Sequence, residues 1–185
     1  MASHFKRRLR SLSKEIVVRG GYTTTVSDED YEELSRLKWS AVKVKGRVYV
    51  AHIPKPIYMH RVVTKTTAPV VDHADGNTLN NTRENLRPAT YSQNAANAVW
   101  TKRTPSGLRG VAPSRGGVWR AALGGKFLGL FWAKETAAMA YDNVAREKYG
   151  QFARLNFPYW TADPIGLSML RLHRKPGSKP RALRA

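Results

Sequence analysis

VDHADGNTLNNTRENLRPATYSQNAAN, residues 71–97, is the stretch on which the reading of this chain turns. Asparagine is a poor choice inside a strand or a helix, because its amide competes with the backbone for hydrogen bonds. Here asparagines crowd behind one Asp-His pair. Val70-Val71-Asp72-His73 reads as a short strand ending in a carboxylate and an imidazole. Ala74-Asp75-Gly76-Asn77 is turn chemistry. Leu86 to Ala89 is a second short extended piece. Thr90 then caps a helix, and Gln93, three residues on, completes a capping box. Tyr91, Ala95 and Ala98 form the apolar face of that helix, expected to be buried, and Asn94 and Asn97 lie on another face. Asn77, Asn80 and Asn81 read as turn residues and Asn97 as a solvated helix residue.

The unit is therefore strand, loop, strand, helix, with Asn94 in the first helical turn. A helix laid across the two strands brings Asn94 toward Asp72. Together these residues supply what phosphodiester hydrolysis needs: a base for water, neutralised phosphate charge and a stabilised leaving oxygen. A neutral histidine titrating near ~6.5 is a good base at cellular pH. A carboxylate and an amide carbonyl are hard oxygen ligands, suited to Mg2+ or Mn2+.

Charge points the same way. The 185 residues carry 32 Lys+Arg against 13 Asp+Glu, a formal net charge of +19. Such a balance favours a polyanionic partner, nucleic acid before a membrane surface. Both ends are basic, with Lys6, Arg7, Arg8, Arg10, Lys14 and Arg19 at one end and Arg171, Arg174, Lys175, Lys179, Arg181 and Arg184 at the other. No run approaches the ~18 apolar residues of a spanning helix, and no signal-peptide core opens the chain. The absence of cysteine removes disulfides, Cys-ligated zinc and cysteine nucleophiles together.

Outward from the central stretch, GGYTTTV at 20–26 reads as a strand. Ser27 with Asp30 fits a capping box for a helix over 28–38, its first turn filled by acids that complement the dipole. KVKGRVYVA turns at Lys45-Gly46 and reads as a hairpin. IYMHRVV, residues 57–63, is a short apolar segment. TKRTPSG, residues 101–107, marks a boundary. Beyond it GLRGV, VWRAAL and FLGLF are strand candidates, and KETAAMAYDNVAREKYG is one helix, stopped by Gly150. Trp119, Ala121 and Leu123 share the face that packs under the helix, and Arg120 projects from the open face. Asp163-Pro164 is a helix-start signal in the last part of the chain.

Residues 57–97, from YMHRVV through VDHADGNTLNNTRENLR to SQN, resemble the HNH homing endonucleases of phages and bacteria in residue type and spacing. The resemblance implies a ββα-metal fold in which His73 is the general base and Asp72 and Asn94 hold one divalent cation, Mg2+ or Mn2+. It implies that Asn85 holds the connecting loop and lines up the base, that Arg87 contacts phosphate, and that His60 supports the site. Residues 107–158 resemble the ethylene-response-factor (apetala-two type) DNA-binding domain, which implies DNA contacts from Arg109, Arg115, Arg120 and Phe127.

The expected fold class is α+β: an N-terminal strand and helix region, the ββα-metal motif, then a three-stranded antiparallel sheet with one packed helix. The expected domains are a nuclease domain at 1–100 with a basic arm at 1–19, a linker at 101–106, a DNA-binding domain at 107–158 and a basic extension at 159–185. The expected function is metal-dependent cleavage of double-stranded DNA by a monomer, one strand per active site, with a dimer on DNA as the variant. The expected setting is the cytoplasm of a bacterial cell or phage-infected host. Two rivals are a non-catalytic DNA-binding regulator and a basic RNA- or ribosome-binding protein, neither of which explains the Asp-His…Asn…Asn spacing.

Overall fold

The computed structural model describes residues 12–98 and 104–159. Most of the basic arm, the linker residues 101–103, the Asp163-Pro164 signal and the basic extension from residue 160 onward lie outside the described residues. The chain divides after Asn97 into two compact units. In chain order the first contains β1 (Ser13–Val18), β2 (Tyr22–Ser27), α1 (Asp28–Ser35), β3 (Trp39–Val44), β4 (Arg47–His52), β5 (Ile57–Tyr58), α2 (Met59–Thr64), β6 (Val70–His73), β7 (Asn80–Asn81), β8 (Leu86–Ala89) and α3 (Tyr91–Asn97). The second contains β9 (Val111–Ser114), β10 (Val118–Leu123), β11 (Lys126–Phe131), α4 (Lys134–Tyr149) and a closing 3-10 turn, Gly150–Phe152. The fold is α+β, with several small sheets.

In the first unit β1 and β2 pair antiparallel, and β7 joins β2 in parallel. The end of the expected basic arm is thus a strand: Ile16 and Val18 alternate into the core and Val17 faces solvent. β3 and β4 form the expected hairpin, since Lys45 and Gly46 both take the left-handed backbone of a two-residue turn. The segment IYMHRVV is mostly helical, because α2 starts at Met59. Met59 and Val63, four apart, enter a core shared with Val26, Leu34, Trp39 and Val50.

Two local signals are overridden by tertiary contacts. The Ser27–Asp30 capping box does not close: the Ser27 hydroxyl accepts the Arg83 backbone N–H, and the Asp30 carboxylate takes the Arg83 guanidinium at 2.6 and 2.8 Å. α1 ends at Ser35 rather than 38, because the Trp39 indole donates to the Leu34 carbonyl at 2.7 Å and starts β3. The acids of the first turn keep their favourable place at the helix N-terminus and also anchor the loop after β7.

The second unit is the expected sheet, β11-β10-β9, antiparallel throughout, with α4 across one face. Ala137, Ala138, Tyr141 and Ala145 are buried against Val111, Ala121, Phe131 and Leu123. Small side chains on the helix let it lie close to the strands. The first strand begins at Val111, not at Gly107, because Gly107 and Gly110 take positive φ and turn the chain. A Cβ on Gly110 would lie 2.0 Å from the Tyr141 ring. Asp142 is fully buried and accepts three N–H groups, from the Asn156 backbone and amide and the Phe157 backbone, tying the chain's return to the helix.

Candidate active site

β6 and β8 pair antiparallel in a register that sets Asp72 opposite Arg87 and His73 opposite Leu86. Directly opposed residues share a sheet face, so the register alone delivers a guanidinium to the carboxylate. Arg87 donates through Nε and Nη2 to Asp72 Oδ2, with Nε at 3.1 Å. Asp72 is only 3% exposed, so this cation compensates a charge that burial alone would make costly. The expected phosphate-contacting arginine therefore sits on the expected metal ligand.

The helix reaches the carboxylate through a different asparagine from the one expected. Asn97 Nδ2 lies 2.9 and 3.1 Å from the two Asp72 oxygens and 2.9 Å from the His73 carbonyl. Asn97 is buried, not solvated. Tyr91 and Ala95, expected to be covered, are exposed, with Tyr91 at 71%. Asn94 is half-buried one turn earlier, and its backbone N–H donates to Thr90. The Thr90–Gln93 capping box closes in both directions, at 2.8 and 3.2 Å. The cap thus sets where the helix starts, and α3 turns its asparagine face, rather than Tyr91 and Ala95, toward the polar end of β6.

Asn85 closes the loop between the strands. Its amide nitrogen donates to Asp75 Oδ1 at 3.0 Å and to the Asn80 carbonyl at 2.8 Å, and its Oδ1 accepts the Asp75 backbone N–H at 2.9 Å. Asn77 serves the turn, as expected, whereas Asn80 lies in β7 and its side-chain amide reaches back, donating to the Asp75 carboxylate at 2.8 Å. Asn81 also departs from the turn expectation. It is 1% exposed, and its side chain lies between His73 and Thr24. Nothing in its spacing marks this, since the partner Thr24 is 57 residues away.

His73 is buried, which pushes its pKa below the ordinary histidine value; the Asn81 contact and the Asp75 and Asp72 carboxylates oppose that shift. The neutral ring is the form a base needs. His60, on α2, stands edge-on to His73 with ring centroids 5.5 Å apart and stacks on Tyr58 at 5.3 Å. Burial, then His73 and Arg61, bring His60 down to about 4. Tyr49 of β4 stands edge-on to both imidazoles. Periodicity could not have found Tyr49, because its ring partners His60 and His73 stand on other elements, α2 and β6.

Residues 58–96 match the family model described as HNH endonuclease. An uncharacterized HNH endonuclease of Acanthamoeba polyphaga mimivirus is 31% identical over 140 residues, covering 71% of this chain and 73% of the viral protein. The chain belongs to the HNH endonuclease family. It is a DNA-cleaving enzyme, and the Asp-His pair lies inside the matched segment. No solved structure matches the endonuclease. Among its described residues no helix is long and apolar enough to cross a membrane.

In the second unit Arg120 is exposed on the open face with its guanidinium 5.8 Å from the centre of the exposed Phe127 ring. Arg115 is exposed in the turn between β9 and β10. Arg109 is half-buried. Its Nε donates to the Tyr141 hydroxyl at 2.9 Å and its Nη1 to the Ala98 carbonyl at 2.8 Å. Of the expected DNA-contact residues, Arg120 and Phe127 are brought together, and Arg109 is held by the protein.

Proposed function

We propose that the endonuclease is a metal-dependent enzyme of the homing type that hydrolyses one strand of double-stranded DNA per active site, with His73 as general base. The observation that carries this reading is the end of β6, where a buried carboxylate and a buried neutral imidazole are consecutive and a guanidinium stands opposite. HNH nucleases generally use a divalent metal. Among the described residues no three His, Asp or Glu side chains converge as a ligand cluster. The donors at hand are instead one buried carboxylate that already accepts cationic charge and amide groups on α3. That set fits a hard, hydrated ion such as Mg2+ or Mn2+, held by few protein oxygens.

In this reading Asp72 and Asn94 would hold the ion, which would supply charge neutralisation for the scissile phosphate and the leaving oxygen. His73 takes the proton from the attacking water. Asn85 keeps the loop closed so that the imidazole is aimed, Arg87 contributes the phosphate contact from its place beside Asp72, and His60 backs the base. The strand, strand and helix from β6 to α3 are read as the ββα-metal motif. The second unit, read as the ethylene-response-factor type, lays its open face on DNA through Arg115, Arg120 and Phe127, with Arg109 the weaker candidate. A small sheet fits the major groove, and the net charge of +19 supplies counterion release. A monomer in the cytoplasm of a bacterial cell or phage-infected host accounts for nicking.

Supercoiled plasmid, incubated with Mg2+ or Mn2+ and then with a chelator, tests the reading. Wild type is expected to convert it to open circle, and chelation and His73→Ala are each expected to stop the conversion. Equal nicking by His73→Ala would remove the base assignment, and chelator-resistant nicking would remove the metal.

A further inference from the structure

The base assigned to His73 leaves open which ring nitrogen takes the proton. A neutral imidazole carries its hydrogen on one nitrogen, and the partner of that nitrogen selects the tautomer. His73 Nε2 lies 3.4 Å from Asn81 Oδ1. Behind Asn81, its Nδ2 lies 2.9 Å from Thr24 Oγ1, and Thr24 Oγ1 lies 2.7 Å from the Leu79 carbonyl. Thr24 and Asn81 are both essentially inaccessible to water.

Hydrogen-bond direction runs through this series without ambiguity. The Leu79 carbonyl can only accept, so the single Thr24 hydroxyl proton points at it. The Met59 sulfur, 3.9 Å from Thr24 Oγ1, is a far weaker acceptor. With its proton committed, Thr24 Oγ1 must accept from Asn81. The nitrogen end of the Asn81 amide therefore faces Thr24, and the oxygen end faces His73. A reversed amide would set two oxygens against each other with no proton between them. Asn81 Oδ1 can only accept, so Nε2 is the protonated nitrogen. Nδ1, which makes no hydrogen bond to a described residue, keeps the lone pair.

We infer that Thr24 and Asn81 are positioning residues, a relay from the Leu79 carbonyl that holds His73 in its Nε2-protonated tautomer and leaves Nδ1 as the base. The relay rests on the reading of His73 as general base, and it gives β7 a purpose. The two-residue strand pairs with β2 in parallel, Val26 opposite Asn81, which brings the amide to Thr24. The Thr25 backbone N–H donates to the same Leu79 carbonyl at 2.9 Å, fixing the acceptor that starts the series. Asn85 and Asn81 thus divide the work that a single asparagine was expected to do: one closes the loop, the other orients the ring.

Long-range 1H–15N correlation spectra of the full-length 15N-labelled chain, above pH 7, read the tautomer directly. The expected result is one Nε2-protonated form for His73 in wild type and in Thr24→Ser, and mixed tautomers in Thr24→Val and Asn81→Ala. In plasmid cleavage Asn81→Ala is expected to lose roughly 10–100-fold in kcat with KM unchanged, by analogy with the outer-shell partners that orient metal-ligating imidazoles. An Nδ1-protonated or mixed His73 in wild type would overturn the relay, as would a tautomer unmoved by both Thr24→Val and Asn81→Ala. Those results leave the base assignment standing. Undiminished cleavage by His73→Ala would instead remove the base assignment, whatever the spectra show.

Discussion

Asp72 and Asp142 are both buried carboxylates, one in each unit, and they are satisfied in different ways. Asp142 accepts three N–H groups from two consecutive residues, Asn156 and Phe157, and closes the fold of the second unit. Asp72 is held by side chains from two other elements, Arg87 and Asn97, and its neighbour His73 is an imidazole kept neutral by burial. A carboxylate bound by backbone N–H groups cannot change partners without unfolding its segment. One bound by side chains can. The difference separates a carboxylate that is part of the architecture from one available for chemistry.

Four measurements would break or sharpen that contrast, in descending order of effect. His73→Ala should lower kcat for plasmid nicking by roughly 100- to 10,000-fold, the usual contribution of a general base, while the urea midpoint moves little. Asp142→Ala should do the reverse. It leaves three N–H groups of the half-buried Asn156 and Phe157 without their acceptor, at up to about 1–3 kcal/mol for the first and more for the set, so the second unit should unfold at markedly lower urea. If Asp142→Ala unfolds at the wild-type midpoint, the architectural reading of that carboxylate fails.

The third measurement concerns pH. His60 titrates at about 4 in the folded protein, below its ordinary 6.5. The unfolded chain then binds more protons between these values, so stability is full above pH 6.5 and falls as pH drops toward 4. The loss is on the order of 2 kcal/mol. Urea unfolding at pH 7 and pH 4.5, in wild type and His60→Phe, should show a smaller acid loss in the variant; equal losses would place the sensitivity elsewhere. The smallest effect is expected from Arg120→Ala, which should weaken DNA binding and reduce the salt slope by about one without changing the fold. Unchanged affinity and slope would count against the open face as a DNA surface.

Much of this was legible in residue order. The alternation of VWRAAL and the three- and four-residue spacing of α4 mark the second unit, because both faces of its sheet and helix differ in polarity. The Lys45-Gly46 turn, the Thr90–Gln93 cap and the Gly150 stop were readable for the same local reason. The failures are local signals outbid by distant partners. Ser27 and Asp30 have the spacing of a capping box, but Arg83, more than 50 residues on, takes both. Tyr91 and Ala95 keep apolar spacing on a helix that nevertheless buries Asn97.

By itself the sequence determined that Asp72 and His73 end one strand, that Arg87 lies on a strand able to face them, and that a capped helix follows within reach. It did not assign the asparagines. Asn81, Asn85, Asn94 and Asn97 are the same small amide, without the periodicity that marks a buried face, so each is defined by what stands opposite. Only tertiary structure set Asn81 between His73 and Thr24, Asn85 across the loop and Asn97 on Asp72. The physical reason is that an amide can donate or accept in any setting, and its role is decided by partners that sequence distance does not reveal.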